Sequence, residues 1–254
     1  ALTLAAKLDG TLGVTVLITA PDDTIMAPRN PGIITAGRIA SATGHFTNFD
    51  LVIDGFAEAL PHGREGVIFG QASDGVQTSC DLLVDLTGGT PLFTGWEKRD
   101  GYFRVAADDT AALAALEFQL APMIGEFEKP IYVSFDETLC AHSRNQIGGC
   151  TRCLDVCPAG AISSAGDIVS IDPAICGGCG FCGAVCPSGA AQTAYPPADH
   201  LLTMMDRLAE GYLQAGGTAP SLLIHDDSFG LEAIELMARY GRGLPADMLP
   251  MAVH

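Results

Sequence analysis

A doubled cysteine motif in the second half of the chain decides the fold. Residues 150–158 read CTRCLDVCP, and residues 179–187 read CGFCGAVCP. A shift of 29 residues superposes these two stretches and the Gly-Ala pairs that follow them. Eight of the nine cysteines lie between Cys140 and Cys186, and Cys80 alone stands outside. Such clustering is typical of a metal site rather than of a disulfide framework.

The spacing of these cysteines indicates iron–sulfur clusters. The second half reads Cys176-x2-Cys179-x2-Cys182-x3-Cys186-Pro187, which matches the bacterial iron–sulfur run fully. Three thiolates from one tight loop and helix start can face a single iron–sulfur cube, while the fourth, carried past it, points at the other cube. Residues 138–194 therefore resemble the bacterial two-cluster 4Fe-4S ferredoxin family.

The resemblance implies which cysteines bind which of two 4Fe-4S clusters. Cluster two is assigned to Cys157, Cys176, Cys179 and Cys182. Three ligands of cluster one are assigned to Cys150, Cys153 and Cys186. By the 29-residue shift the remaining ligand should stand at Ile147, so a seven-residue insertion ahead of Cys150 breaks the family pattern.

Cys140 is the expected fourth ligand of cluster one. Nine residues separate Cys140 from Cys150, and this loop, which includes Gly148 and Gly149, is long enough to bring the thiolate back to the iron. Two alternatives stay open, namely His142 as a nitrogen ligand and a three-iron cluster that lacks the fourth corner.

Two other kinds of cysteine site fit the sequence less well. Eight cysteines could form two zinc sites, but the doubled CxxCxxxCP pattern is specific to clusters rather than to tetrahedral zinc. Thioredoxin-like chemistry needs a single CxxC pair and leaves the remaining cysteines unexplained. The segment is also rich in glycines, whose backbone N–H groups can approach thiolate and sulfide and favour the reduced state. These glycines are at positions 148, 149, 177, 178, 180 and 183.

Composition and periodicity divide the chain into three expected parts. Residues 1–130 are expected to form an α/β or α+β domain, and residues 131–197 the two-cluster ferredoxin domain. Residues 198–254 are expected to begin a further α/β domain with a βαβ unit. The predicted fold class is therefore α+β, with the ferredoxin-like domain inserted between the other two. Because the chain stops directly after a predicted strand, we expect the natural protein to continue and this last domain to be truncated.

Local patterns predict the elements of the flanking parts. Strands are expected at residues 13–19, 49–53, 66–69, 81–86, 221–225 and 249–253. Asp109 or Thr110 should cap a helix with one apolar face, formed by Leu113, Leu116, Leu120 and Ile124. A second helix should begin near Asp199 and end at Gly216-Gly217, with Leu201, Met204, Met205, Leu208 and Tyr212 inward. A third, capped by Ser228, should run to Tyr240.

Several further signals are weak. Cys80 is expected to be a buried free thiol. A strand end carries His225-Asp226-Asp227, where α/β sheets bind ligands, but strand ends are polar in general, and the same discount applies to His45 and His62. The glycine-rich residues 37–44 and 70–75 fit no nucleotide-binding motif and are expected to be turns. No hydrolase motif is present in the sequence.

Charge and composition restrict the partners. The 254 residues include 13 Lys and Arg against 30 Asp and Glu, which gives a net charge of −17. This charge repels phosphate backbones, so nucleic acid is not expected as a partner and a redox protein with a basic docking surface fits better. No apolar run reaches the roughly 18 residues of a membrane helix, and we expect a soluble protein of the reducing cytoplasm.

The predicted function is therefore electron transfer through two 4Fe-4S clusters, as a subunit or fragment of a larger redox complex. The layout loosely resembles iron–sulfur subunits found with formate dehydrogenases, hydrogenases and heterodisulfide reductases. An alternative is an oxidoreductase whose flanking domains bind a flavin, nucleotide or substrate that the clusters reduce. A third hypothesis is an oxygen or redox sensor with labile clusters.

Overall fold

The structure, a computed structural model, describes residues 1–21, 25–26, 33–60, 66–95, 99–144, 149–227 and 229–253. The chain divides into two compact units. Unit one contains Ala1–Lys129 and two short segments from the cysteine region, Pro158–Ala161 and Ala174–Gly177. Unit two contains Pro130–Cys157, Ile162–Pro173 and Gly178–His254. Helices and strands are mixed in the chain, which is of the α+β class.

Unit one is built mainly from strands. Its elements are α1 (Leu2–Leu8), β1 (Thr15–Ile18), β2 (Ile33–His45), β3 (Asn48–Leu60), β4 (Ile68–Phe69), β5 (Val76–Cys80), β6 (Leu83–Asp85), β7 (Tyr102–Arg104) and α2 (Thr110–Leu120). β2 and β3 form a long antiparallel hairpin, β1 adds to β2 in parallel, and β4 and β5 both pair with β3. A separate parallel pair is formed by β6 and β7. Phe49 at the start of β3 is fully buried and lies in a hydrophobic core of this unit.

The expected helix near residue 110 is confirmed, with one correction. The Asp109 carboxylate accepts a hydrogen bond from the Ala112 N–H at 2.9 Å and so caps α2. Leu116 and Leu120 are buried against α1, as the apolar face predicts. The helix ends at Leu120, however, and Ile124 is outside it and 60% exposed, because Pro122 cannot continue a helix.

Glycines misled the prediction for residues 37–44, which lie within strand β2 rather than in turns. Gly37 and Gly44 both have positive φ. A Cβ at Gly37 would lie 2.8 Å from the side chain of Ile53, and one at Gly44 would overlap the carbonyl oxygen of Asn48. The β2–β3 register shifts after Ala36 and after Ile39. Glycine marks irregularity and close backbone approach in this hairpin, not its end.

The strand predicted for residues 81–86 also needs correction. The structure places β6 at Leu83–Asp85 and a separate strand, β5, before it. Cys80 is the last residue of β5 and is half-buried rather than fully buried. Burial raises the pKa of its thiol to about 11, and the charge of Asp81 adds to this rise. Cys80 is a free thiol, as expected.

Unit two contains the cysteine-bearing elements followed by a βαβ arrangement. Its elements are β8 (Val133–Phe135), α3 (Arg152–Val156), β9 (Ile162–Ala165), β10 (Ile168–Ile171), α4 (Phe181–Val185), β11 (Ala191–Thr193), α5 (Ala198–Gln214), β12 (Ser221–His225), α6 (Phe229–Tyr240) and β13 (Met248–Ala252). Strands β12 and β13 are parallel, which confirms the predicted βαβ unit. β12 is exposed to half-buried along its length, whereas a buried strand was expected.

Helix α5 follows its predicted pattern except at its start. Pro197 rather than Asp199 is the N-cap residue, and Asp199 lies in the first turn. Pro197 has φ −59° and ψ 137°, an extended conformation that suits the residue before the first helical turn. The apolar side chains predicted to face inward are half-buried, none of them fully. Ser228, the expected cap of α6, lies outside the described residues. Among the described residues no helix is long and apolar enough to cross a membrane.

Candidate iron–sulfur centre

The doubled cysteine motif folds into two equivalent short helices. α3 and α4 each contain five residues, start 29 residues apart and pack against one another. The C-cap residue of each helix is the cysteine that precedes a proline. Cys157 has φ −71° and ψ 107°, and Cys186 has φ −72° and ψ 111°. The sequence repeat is therefore also a repeat of backbone conformation.

The strands around these helices repeat with the same symmetry. β9 follows Cys157 and pairs antiparallel with β10, which precedes Cys176. β11 follows Cys186 and pairs antiparallel with β8, which precedes Cys140. Each half is thus completed by the strand that leads into the other half.

The strand registers show that this symmetry holds residue by residue. Ile162 is paired with Ile171 in one ladder, and Ala191 with Phe135 in the other. Ile162 and Ala191 are separated by the same 29 residues as the cysteine motifs. The two ladders are therefore equivalent in register as well as in order.

The approach to the first cysteine of each half is also equivalent, which the sequence analysis missed. The residues before Cys140 read FDETL and those before Cys176 read IDPAI, and both form a strand end, one aspartate and a three-residue turn. In the first half the Thr138 N–H and hydroxyl donate to the Asp136 carboxylate at 2.9 and 2.6 Å. The sequence signal that could have revealed this equivalence is an Asp-x3-Cys pattern that repeats after 36 residues rather than after 29. This places Cys140 at the position equivalent to Cys176.

The thiol of Cys153 lies in the electrostatic field of two other cysteines of the first half. Burial raises the pKa of the Cys153 thiol, and the charges of Cys140 and Cys150 raise it further, against hydrogen bonds from backbone N–H groups that lower it. Like charges gathered in a partly buried site destabilise the thiolate form unless a cation compensates them. The donor set of this half therefore fits a group of iron ions.

Two of the cysteines, Cys140 and Cys182, lie in a buried, apolar environment. Cys140 and Cys182 are 6% and 7% exposed and share a hydrophobic cluster with Ile162, Val169 and Ala190. Such an apolar shell limits solvent access and tunes the redox potential of an iron–sulfur cluster.

Cys186 is surrounded by hydrogen-bond donors. Burial alone would raise the pKa of its thiol, but the N–H groups of Ala191, Ser188 and Ala190 and the Ser188 hydroxyl together lower the pKa to about 7. The hydroxyl oxygen lies 3.7 Å from Sγ. These hydrogen-bond donors favour the thiolate, which is the form that binds metal.

Glycine is required at one position beside the second half. Gly178, between Cys176 and Cys179, has φ +79°, and a Cβ there would lie 2.7 Å from the Tyr132 ring. A side chain would have to displace the ring as well as adopt a strained backbone. Among the glycines expected near the thiolates, the one at this position is therefore required for steric reasons. Gly148 lies outside the described residues.

Two basic side chains of unit one donate hydrogen bonds to backbone carbonyls that are close in sequence to the cysteines. Arg99 donates to the carbonyl of Ala159 at 2.8 Å and to that of Gly44 at 2.5 Å. Lys129 donates to the carbonyl of Ala174 at 2.9 Å and to the Asp100 carboxylate at 2.7 Å. Ala159 and Ala174 each stand two residues from a cysteine in the sequence. These contacts fix both chain segments within unit one.

The other candidate residues have local structural partners. The His45 Nδ1 lies 2.7 Å from the carbonyl of Phe46, and the His225 Nδ1 lies 2.7 Å from that of Asp226. The Asp226 carboxylate accepts from the Gly230 N–H at the start of α6. His62 lies outside the described residues.

None of the nine cysteines, all within the described residues, is joined to another by a disulfide bond. In the described parts of the chain, no group of three His, Cys, Asp or Glu side chains is arranged to bind a single metal ion. An iron–sulfur cube distributes its thiolates over separate irons, so this finding concerns single-ion sites only.

Comparison with known families identifies the cysteine region. Residues 148–190 match the model of a family described as the 4Fe-4S dicluster domain. The chain thus contains an iron–sulfur domain of the ferredoxin type, and the dicluster form implies 4Fe-4S clusters and fits a count of two. A comparison with curated proteins finds no match for this chain.

Proposed function

We propose that this protein transfers single electrons through two 4Fe-4S clusters as part of a larger redox complex. Cluster one is bound by Cys140, Cys150, Cys153 and Cys186. Cluster two is bound by Cys157, Cys176, Cys179 and Cys182. Each cluster, when bound, accepts and releases one electron with little rearrangement.

The observation that carries this proposal is the symmetry of the cysteine region. The helices α3 and α4, the cysteines that end them and the ladders that follow are equivalent in position and backbone conformation. In such a repeat the last cysteine of each half serves the other half's cluster, which keeps the two clusters close. Short separation is what a relay of electrons needs.

The residues around the thiolates affect how readily the proposed clusters accept electrons. Donors at Cys186 stabilise the additional negative charge of a reduced cluster. The apolar cluster around Cys140 and Cys182 excludes water. Nothing else is required of the chain, because electron transfer forms and breaks no covalent bond.

The partner we propose is a redox protein with a basic docking surface, in the reducing cytoplasm. A net charge of −17 attracts such a surface and repels nucleic acid. The larger complex belongs to the class in which iron–sulfur subunits serve formate dehydrogenases, hydrogenases or heterodisulfide reductases.

A second candidate is an oxidoreductase in which the flanking regions bind a flavin or nucleotide. The parallel pair β12–β13 is the feature that favours it, because ligands of α/β sheets bind at the carboxyl ends of such strands. Flavin absorbance in purified protein would support this function, and its absence after reconstitution with flavin would exclude a flavin enzyme.

Reversible reduction of anaerobically purified protein tests the proposal. Iron and sulfide should each approach about eight per chain, and dithionite should bleach the visible absorbance, which controlled oxidation should restore. Cys153→Ala should lose cluster one, while Cys80→Ala, a matched control outside the motif, should keep all iron. Bleaching that cannot be reversed would contradict electron transfer and favour the sensor hypothesis.

A further inference from the structure

The two halves of the cysteine region differ most between their first and second cysteines. Two residues separate Cys176 from Cys179, whereas nine separate Cys140 from Cys150. A nine-residue loop has far more conformations than a two-residue one, so bringing its ends together needs additional contacts.

His142 provides such contacts. Its ring is buried, with 3% exposure. Nδ1 lies 3.1 Å from the carbonyl oxygen of Cys150, while Nε2 lies 3.1 Å from the Ser164 hydroxyl and 3.0 Å from the carbonyl oxygen of Gly166. A neutral ring donates from one of its two nitrogens, and the tautomer decides which of the two carbonyls accepts, while the Ser164 hydroxyl itself donates to the Gly166 carbonyl at 2.9 Å. One side chain thus connects the start of the loop, its end and the β9–β10 hairpin.

Ser143 attaches the same stretch of chain a second time. It is 6% exposed, and its Oγ accepts a hydrogen bond from the Val169 N–H at 3.2 Å. Val169 belongs to the hydrophobic cluster that contains Cys140. The Arg144 N–H donates to the Cys140 carbonyl at 2.8 Å and closes a turn directly after the cysteine. The beginning of the loop is therefore fixed to the hairpin at two successive residues.

We infer that His142 is a positioning residue that holds Cys140 and Cys150 at the same cluster despite the long loop between them. This inference rests on the proposed function, because it takes cluster one as the group these thiolates bind. Both ring nitrogens already have partners within the chain, so His142 acts through backbone carbonyls and not as an iron ligand. The second half has a two-residue spacing and needs no such residue.

Iron release from the full-length, anaerobically purified protein tests the inference. His142→Leu keeps the volume but removes both hydrogen bonds, and His142→Gln restores one donor and one acceptor. With ferrozine as chelator, we expect half of the iron of His142→Leu to be released about 10- to 100-fold faster than in the wild type. The other half should be released at the wild-type rate. His142→Gln should lie close to the wild type.

Two further variants keep the test decisive. His200→Ala removes an exposed histidine of α5 and should change neither phase. Ser164→Ala removes one partner of His142 and should accelerate the same half of the iron if His142→Leu cannot be purified. Equal acceleration of both halves, or no acceleration, would overturn the inference. Failure of reversible reduction in a wild type that carries all its iron would contradict the proposed function and leave this result standing.

Discussion

Among single residues, Cys186 has the hydrogen-bond donors that should influence the reduction potential of the proposed cluster one. A hydrogen bond to a ligand sulfur stabilises the additional negative charge of the reduced cluster. The Ser188 hydroxyl is the one side-chain donor among those that lower the Cys186 pKa. Its removal leaves the backbone donors in place and therefore changes one interaction alone.

Ser188→Ala should make the reduction potential of cluster one more negative. The loss of one modest hydrogen bond corresponds to a shift of roughly 20 to 60 mV for a one-electron couple. A redox titration followed by EPR measures this shift, and Ser170→Ala, an exposed serine of β10, is the control. A shift to more positive potential, or an equal shift of both clusters, would show that Ser188 does not act on cluster one.

Asp85 makes the stability of unit one dependent on pH. Burial alone would raise the pKa of its carboxyl, but hydrogen bonds from Thr87 and Tyr102 and the charge of Arg104 together hold the pKa below its usual value. A carboxylate with a lowered folded-state pKa contributes stability at pH values above the unfolded-state pKa of about 4. That contribution is lost as the pH falls through the folded-state pKa.

Asp85→Asn should lower the free energy of unfolding at pH 7 by about 2 kcal/mol, since it removes hydrogen bonds to a charged acceptor. The difference from the wild type should shrink as the pH falls below about 4. Urea unfolding followed by circular dichroism measures both effects, with the exposed Asp108→Asn as control. A difference that grows in acid would contradict the assigned direction of the pKa shift.

At the scale of elements, the β9–β10 hairpin depends on its turn. Gly166 has φ +73°, and a Cβ added there would have no neighbour within 4 Å, so backbone conformation alone demands glycine. Gly211 in α5 also has free space but no positive φ. The same substitution should therefore have opposite effects at these two sites.

Gly166→Ala should destabilise unit two by about 1 kcal/mol, because a left-handed conformation is costly for alanine. Gly211→Ala should stabilise it by up to about 1 kcal/mol, because alanine is the better helix former. Urea midpoints of the two variants against the wild type measure the difference. Equal signs for both substitutions would disprove the conformational explanation.

The sequence predicted these elements unevenly, and the reasons are physical. The ends of α3 and α4 repeat with a single shift, so the cysteine spacing identified both halves. The 29-residue shift does not align Asp136 and Cys140 with their equivalents in the second half, because the seven-residue insertion ahead of Cys150 changes the shift there. Long-range pairing made β2 a strand although Gly37 and Gly44 are typical turn residues. The sequence offered His142 only as an alternative iron ligand, because its contacts with the Cys150 and Gly166 carbonyls form only in the folded chain.

At the scale of the whole molecule, charge should control association with a partner. A net charge of −17 steers a basic protein to the surface, and salt screens this attraction. Electron transfer from the reduced protein to cytochrome c, a basic acceptor, should slow at least about tenfold between about 0.01 M and 0.5 M salt. Stopped-flow spectroscopy measures the rate, with a neutral quinone as control acceptor. An unchanged or rising rate would contradict a basic partner.

Two clusters held close together by cysteines exchanged between the halves should couple their electron spins when both are reduced. EPR spectroscopy of the anaerobic, dithionite-reduced protein detects this coupling. We predict a spin-coupled spectrum that integrates to about two spins per chain. Cys157→Ala should abolish the coupling and leave the signal of one cluster. A single uncoupled signal from the wild type, or a protein without iron, would contradict the account.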